Sequence, residues 1–289
     1  MKIHGKDFVV IGRLIKVARL EEEWYEDVQD PEILIRELTK FRPQIDLFTF
    51  WQRLPDVKPK FKHYMEWESL AALPIESHIH WWEKQIDAKT RNLVRKAAKK
   101  GVKTEIRKFD DEFIKGMSSI FNEAPIRQGK PFWHYGKDLD TIRHEFSKNV
   151  YREELIGAYY NDELIGFIML ASAGRYAIIT QIISKIQHRD KSPNNALIAK
   201  AVEICANKGI PFLIYAYWVD GTLGDFKRSN GFEKIDLPRY YIPLTLKGRV
   251  ALRLNIHRSV VRIIPKWIIA GLKDLRAKWY EGKYKLSRG

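Results

Sequence analysis

Apolar positions along this chain switch between a period of two and a period near 3.6, and the switches mark out its elements. Alternating or continuous apolar runs predict strands at "DFVVIGRLIKVAR" (7–19), "IDLFTFWQRL" (45–54) and "KHYMEWESLAALPI" (62–75). The last two read as a pair around the Pro-rich turn "PDVKPK". A helix is predicted from Pro31 to about Lys40, with Asp30 as N-cap and Pro in the first position. Another follows Asp87 and stops before Gly101. Leu93, Val94, Ala97 and Ala98 line one side of it, and Arg91, Arg95 and Lys99 form an i, i+4 stripe on another. Helices at 110–122 and 138–148 flank the loop "NEAPIRQGKPFWHYGKD". Residues 153–184 read as three strands turned at Asn161-Asp162 and Ala173-Gly174. A helix at 193–208, the strand "PFLIYAYW", a helical turn from Asp225 to Ser229 and a last strand through "RYYIPLT" follow. The pattern from 246 onward is helical and basic.

This order predicts an α/β (α+β) fold with a mixed, mostly antiparallel sheet flanked by helices, one helix crossing over between two strands. Apolar residues are 45% of the chain and aromatics 12%, enough for a globular core. The single Cys205 excludes an internal disulfide framework, fits a reducing compartment, and sits where a small buried hydrophobe is expected. "FVVIG" is too short for a signal-peptide core, and no apolar run is long enough to cross a bilayer, so the expected location is cytoplasmic.

Charge changes the picture more than composition does. The formal net charge is +15, and it is concentrated in two places. Residues 88–108 carry nine Lys/Arg against Glu105, and residues 246–289 carry twelve against Asp274 and Glu281, which leaves the rest slightly acidic. Two local basic patches favour specific anionic partners over general solubility. The stripe Arg91, Arg95, Lys99 suits a phosphate-bearing ligand such as tRNA or a lipid- or nucleotide-linked acceptor, or else it is a solvated face. The tail 246–289 interleaves Lys/Arg with Leu, Ile, Val and Trp. Three readings stay open for it: contact with an anionic membrane, packing on the chain's own body, or contact with tRNA.

Within "LGDFKRSNGFEK" (223–234), Asn230-Gly231 stop a helical turn, and Phe232 is placed to pack back on Phe226. Local rules account for the clasp but not for Lys227 inside it. Here the chain resembles the GNAT N-acyltransferase fold, and within it the Fem-like branch, whose best-known members transfer amino acids from aminoacyl-tRNA onto peptidoglycan precursors. "KTRNLVRKAAKKGV" resembles that branch's basic helix, "SPNNALIAKAVEICANKGIPFLIY" its helix-strand unit, and "FKRSNGF" its Phe-Lys-x-x-x-Gly-Phe clasp. The resemblance implies a GNAT-like domain over 86–245, a degenerate GNAT-like N-terminal lobe over 1–85, and a basic helical tail over 246–289.

It also implies a chemistry. Acyl transfer to an amine needs a held donor, a group that polarises its carbonyl, and a route for the amine's proton. The strand before the crossover helix would offer backbone around Ile182, Ile183 and Ser184 to the donor. The start of that helix, with Ser192 as N-cap and Asn194 and Asn195 in its first turn, would meet phosphate together with His188, Arg189 and Lys191. Lys227 would stabilise charge during transfer, and Tyr217 is the polar residue retained from the strand before it. Two departures stand out: "HRDKSPNNA" lacks the Gly-rich loop of acetyl-CoA users, and Phe226 stands where a Tyr acid is common. No tightly bound cofactor is expected; acyl-CoA or aminoacyl-tRNA would be a co-substrate. In the aromatic-basic loop, Glu123 and His134 are candidate proton acceptors, and Arg127, Lys130 and Tyr135 candidate substrate contacts, although such a loop also serves as a surface connection. Metal binding is not expected, because His78-x-His80 has no companion ligands in sequence. The competing class is a non-catalytic RNA- or membrane-binding protein on a degenerate scaffold.

Overall fold

Local capping explains most of the helices. The computed structural model describes residues 1–41, 44–148 and 150–257. The elements in chain order are β1 (Lys2–Ile3), β2 (Lys6–Ile11), β3 (Val17–Leu20), α1 (Pro31–Lys40), β4 (Leu47–Trp51), β5 (Met65–Pro74), the single turn α2 (His78–His80), α3 (Ala88–Lys99), β6 (Lys103–Arg107), α4 (Asp111–Phe121), β7 (Ile126–Arg127), β8 (Lys130–Pro131), α5 (Leu139–Ser147), β9 (Glu153–Tyr160), β10 (Glu163–Ala173), β11 (Tyr176–Ser184), α6 (Pro193–Asn207), β12 (Phe212–Tyr217), α7 (Thr222–Ser229), β13 (Glu233–Pro243) and α8 (Leu246–Arg253). Asp30, Asp87, Asp110 and Asp138 each accept a backbone N–H from the first turn of the helix they precede, and Pro31 takes the first helical position.

The chain divides into two units. One holds Met1–Ser69 and the described residues from Ile235 on; the other holds Leu70–Lys234. In the first, β1, β2 and β3 are antiparallel, β3 runs parallel to β4, and β4 pairs antiparallel with β13 from Arg239↔Trp51 to Pro243↔Leu47. Leu34 and Leu38, one helical turn apart on α1, pack with Phe8, Phe48, Phe50 and Tyr240. Beside that core lies a buried ion cluster. Arg239 donates to Glu68 (Nε, 2.7 Å) and with both terminal nitrogens to Glu23 (3.2 and 3.1 Å), its guanidinium 4.6 Å from the Trp51 ring. Burial works against that charge, and the two carboxylates outweigh it, so the Arg239 pKa is raised.

In the second unit the strand order is β5-β12-β11-β10-β9-β6, antiparallel except for β11 and β12, which α6 joins as a crossover. Alternate residues of β10 face opposite layers. Ile168 and Leu170 lie in the cluster with Leu197, Ile198 and Val202 of α6, while Phe167 and Met169 lie with Phe113, Met117 and Phe121 of α4. Cys205 is in the α6 layer, and burial pushes its thiol up to about 12, so it acts as a small hydrophobe.

Three sequence expectations change here. Residues 7–19 form a hairpin of β2 and β3. Gly12, at φ +91°, makes the turn, and a Cβ there would stand 2.1 Å from the Ile15 carbonyl oxygen. β4 and β5 are not partners, because β13 lies between them. The division falls at 69/70 and 234/235 instead of 85/86 and 245/246. Trp81 and Ile86 belong to the core of the second unit, and Tyr240 and Ile242 to that of the first. Of the tail expected over 246–289, α8 and the residues to 257 are described, and the remainder lies outside the described residues.

Candidate active site

The parallel pair β11–β12 is in register only at Ala177↔Leu213 and Ile178↔Ile214. β11 continues to Ser184 and β12 to Tyr217, so their carboxyl ends run on without a shared register. On its other side, β12 changes register with β5 between Ile214 and Tyr217, and Ala216 there takes the left-handed conformation, φ +50°. This kink turns two carbonyls, of Tyr215 and Tyr217, toward one point. Lys227 fills that point: its Nζ donates to both oxygens at 2.7 Å and stands 4.4 Å from the Tyr215 ring centre. Lys227 is 2% exposed, and no carboxylate pairs with it among the described residues. Burial pushes its pKa down to about 8, and burial pushes the Tyr215 phenol up to about 12. An ammonium has three N–H donors, so two carbonyls leave one to meet another acceptor.

The clasp around Lys227 is closed by backbone bonds. Gly231, at φ +88°, lets its N–H reach the Arg228 carbonyl (2.9 Å) and the Phe232 N–H reach the Lys227 carbonyl (3.0 Å). Phe232 packs edge-on against Tyr215, with ring centres 5.8 Å apart. Asn230 is fully buried. Its Nδ2 donates to the Phe226 carbonyl, its Oδ1 accepts from Asn195 Nδ2, and its carbonyl accepts from Trp81 Nε1 (3.0 Å). Asn195 thereby ties α6 to the clasp.

The connection from β11 to α6 holds a second arrangement. The Glu123 carboxylate accepts the backbone N–H of Ile186 (2.6 Å) and of Gln187 (3.0 Å) and a bond from Arg127 Nη2 (3.0 Å). Arg127 also donates to the carbonyls of Ile120 (2.6 Å) and Ser184 (2.8 Å) and lies 4.9 Å from the Phe132 ring centre. Glu123 and Arg127 therefore brace the end of α4 against the end of β11. The first backbone donors after β11 already hold an anion, and that anion is the chain's own.

The other predicted residues distribute around these two features. Ile182 packs at the edge of the α6-side core and Ile183 is buried on the α4 side, so the side chains of both are taken up by packing. Ser192 precedes α6 in the left-handed conformation (φ 55°), and its hydroxyl makes no capping bond, unlike the N-cap expected; its carbonyl accepts from Asn195 and Ala196 instead. His188 Nε2 lies 3.4 Å from Glu163, which also pairs with Lys185. Lys191 stands 4.6 Å from the Tyr160 ring centre and Arg189 is exposed. Asn194 Oδ1 and His188 Nδ1 are buried with no hydrogen-bond partner among the described residues. His134 stacks flat on Phe121 (4.5 Å), and burial, aided by Lys137, pushes it down to about 4, so it is neutral at physiological pH. Tyr217 and Lys130 are exposed, and Tyr135 is half-buried. On α3 the stripe splits. Arg91 donates to the carbonyls of Trp82 (3.0 Å) and Ile86 (2.6 Å), which close the π-helical turn Trp81–Gln85. Arg95 lies 5.3 Å from the Trp82 ring centre, and Lys99 is exposed. Trp81 is an anchoring residue that local pattern did not single out, and Asn230, read only as a helix stop, is a second anchor.

No protein-family model matches the chain, and no curated protein matches it. Solved structures do. FemX matches with a TM-score of 0.59 at 11% identity, covering 86% of this chain and 86% of that one. The C-terminal domain (DUF2156) of a putative lysylphosphatidylglycerol synthetase from Agrobacterium fabrum matches at 0.57 and 13% identity, covering 86% and 84%. L-PGS from Bacillus licheniformis matches at 0.55 and 12%, covering 87% and 84%. At these identities the likeness is one of architecture: the chain has the mixed α/β fold of FemX and the lysylphosphatidylglycerol synthetase domain.

Proposed function

We propose that this chain is an N-acyltransferase that moves an acyl or aminoacyl group from an activated donor to an amine of a cell-envelope or surface-glycan precursor. The observation that carries this reading is the buried Lys227 ammonium, held by two carbonyls at the kinked end of β12, beside the parallel strand pair whose ends lose register. The acceptor amine attacks the donor carbonyl, and the third N–H of Lys227 meets the developing oxyanion. With a pKa near 8 the lysine is mostly protonated at neutral pH. As the C–N bond forms, the bond to the carrier oxygen or sulfur breaks, and the amine's proton passes to water or to the departing group. Glu123 is already engaged with three donors, which argues against it as the base.

The donor follows from the same carboxylate. In a GNAT-like site the backbone after this strand meets the donor's phosphates, and here Glu123 fills the N–H groups of Ile186 and Gln187. That favours aminoacyl-tRNA over acyl-CoA, with Arg95, Lys99 and Arg189 available to RNA phosphates. The unpartnered Asn194 Oδ1 and His188 Nδ1 support a polar ligand at the start of α6.

The test offers the purified chain labelled aminoacyl-tRNA or acyl-CoA with an amine acceptor. Transfer is expected from aminoacyl-tRNA and should fall by about 10²–10³ in Lys227→Ala. Unchanged transfer in that variant would remove Lys227 from the chemistry. Salt-sensitive RNA binding without transfer from either donor would favour the second reading, a non-catalytic RNA- or anionic-membrane-binding protein, which the self-filled backbone site keeps in view.

A further inference from the structure

α8 is fixed on the first unit by a contact that glycine alone permits. A Cβ on Gly248 would stand 2.0 Å from the Asp46 carbonyl oxygen. Thr245 Oγ1 accepts the Gly248 N–H (3.0 Å) and donates to Asp46 Oδ1 (2.9 Å), so the helix start is pinned as well. Ala251 and Leu252 lie in a buried cluster with Val17, Leu47 and Tyr241. With that face turned in, the opposite face is set. At about 100° per residue, Leu246, Val250 and Leu254 form one stripe on the outward side. They are 75%, 53% and 62% exposed. Arg249 and Arg253 border the stripe on one side; on the other is Lys247, which stands 3.5 Å from Asp46, and residues 246–254 contain no acid. The hairpin turn between β2 and β3 adds Leu14, 70% exposed; Lys16, two residues on, lines one cleft with Leu246 and Lys247.

We propose that this outward face of α8, together with Leu14, docks on an anionic lipid surface. Large aliphatic side chains set side by side in water form a patch that a partner covers, and a bilayer interface takes them without a matching pocket. The bordering Arg249 and Arg253, both exposed, lie where acidic headgroups would sit. Charge argues against the other occupants. A second copy would bring a like-charged face. Residues 258–289, with nine Lys/Arg against two acids, would bring the same sign of charge. RNA gains most from aromatic stacking, which this aliphatic stripe does not offer. The inference is independent of the transfer reaction.

The test is co-sedimentation of the full chain with vesicles of phosphatidylcholine alone or of equimolar phosphatidylcholine and phosphatidylglycerol. Binding is expected to the anionic vesicles only. The triple variant Leu246→Ser, Val250→Ser, Leu254→Ser should weaken it by about tenfold or more at an unchanged unfolding temperature, since these side chains are exposed. Arg249→Gln with Arg253→Gln should also weaken it and reduce its salt sensitivity. Absence of binding to anionic vesicles, or binding that the triple variant leaves intact, overturns the proposal. So does a triple variant that loses RNA binding while vesicle binding never existed.

Discussion

A buried lysine without a carboxylate is a stability cost that the protein carries at neutral pH, and for Lys227 the sign is calculable. Its folded pKa, about 8, lies below the ordinary lysine value of 10.5. Between those pH values the unfolded chain binds more protons than the folded one, so stability should rise with pH across that window. Lys227→Met should flatten the rise. Urea unfolding of parent and variant at several pH values between about 8 and 10.5 reads the difference, and equal slopes would mean that the ammonium is less buried than its contacts imply. The clasp around Lys227 was legible in sequence because Gly231 and Phe232 lie within five residues of it, whereas Lys227 itself was singled out only through the family resemblance. Glu123 was read as a candidate proton acceptor in a charged loop, and its bonds to backbone were not foreseen. The backbone groups that occupy it lie 63 and 64 positions away, and nothing near Glu123 announces them.

At the scale of elements, the position of Lys227 depends on α7, and α7 depends on a second forced glycine. A Cβ on Gly224 would stand 2.1 Å from the Val219 carbonyl oxygen. Gly224→Ala should therefore shift the helix, lowering kcat by about tenfold or more with a smaller change in KM, because sub-ångström placement of the charge governs its effect. Leu223→Ala, on an exposed neighbour, is the control and should leave kcat alone. Sequence pattern began α7 at Asp225, three residues late, because the two glycines of Gly221-Thr-Leu-Gly224 read as a loop. Helices α1 and α3 were read through their Asp caps, and α4 and α5 carry the same signal at Asp110 and Asp138. The kink at Ala216 was not, since "YAYW" alternates as a regular strand does, and only the pairing with β5 breaks it. The insertion of β13 between β4 and β5 was equally hidden, because strand order is a long-range property.

On the scale of the whole molecule, the chain leaves its first unit at Ser69 and returns to it at Ile235. The division lies inside β5 and β13, where the extent of the family resemblance, 86–245, does not place it. That itinerary has a consequence in time. Glu23 is buried; Arg19, four residues before it, gives one bond, and the other two come from Arg239, 216 residues later. On a ribosome adding about 5–20 residues per second, the N-terminal segment therefore waits about 10–40 s for Arg239. The contiguous Leu70–Lys234 unit completes its own core before then. Nascent chains arrested with residue 234 just outside the exit tunnel should show protease protection over 70–234 and none over 1–69. Early protection of 1–69 would mean that Arg19 alone is enough for the buried Glu23. For this protein, residues 1–69 are expected to complete their fold after residues 70–234, which follow them in the chain.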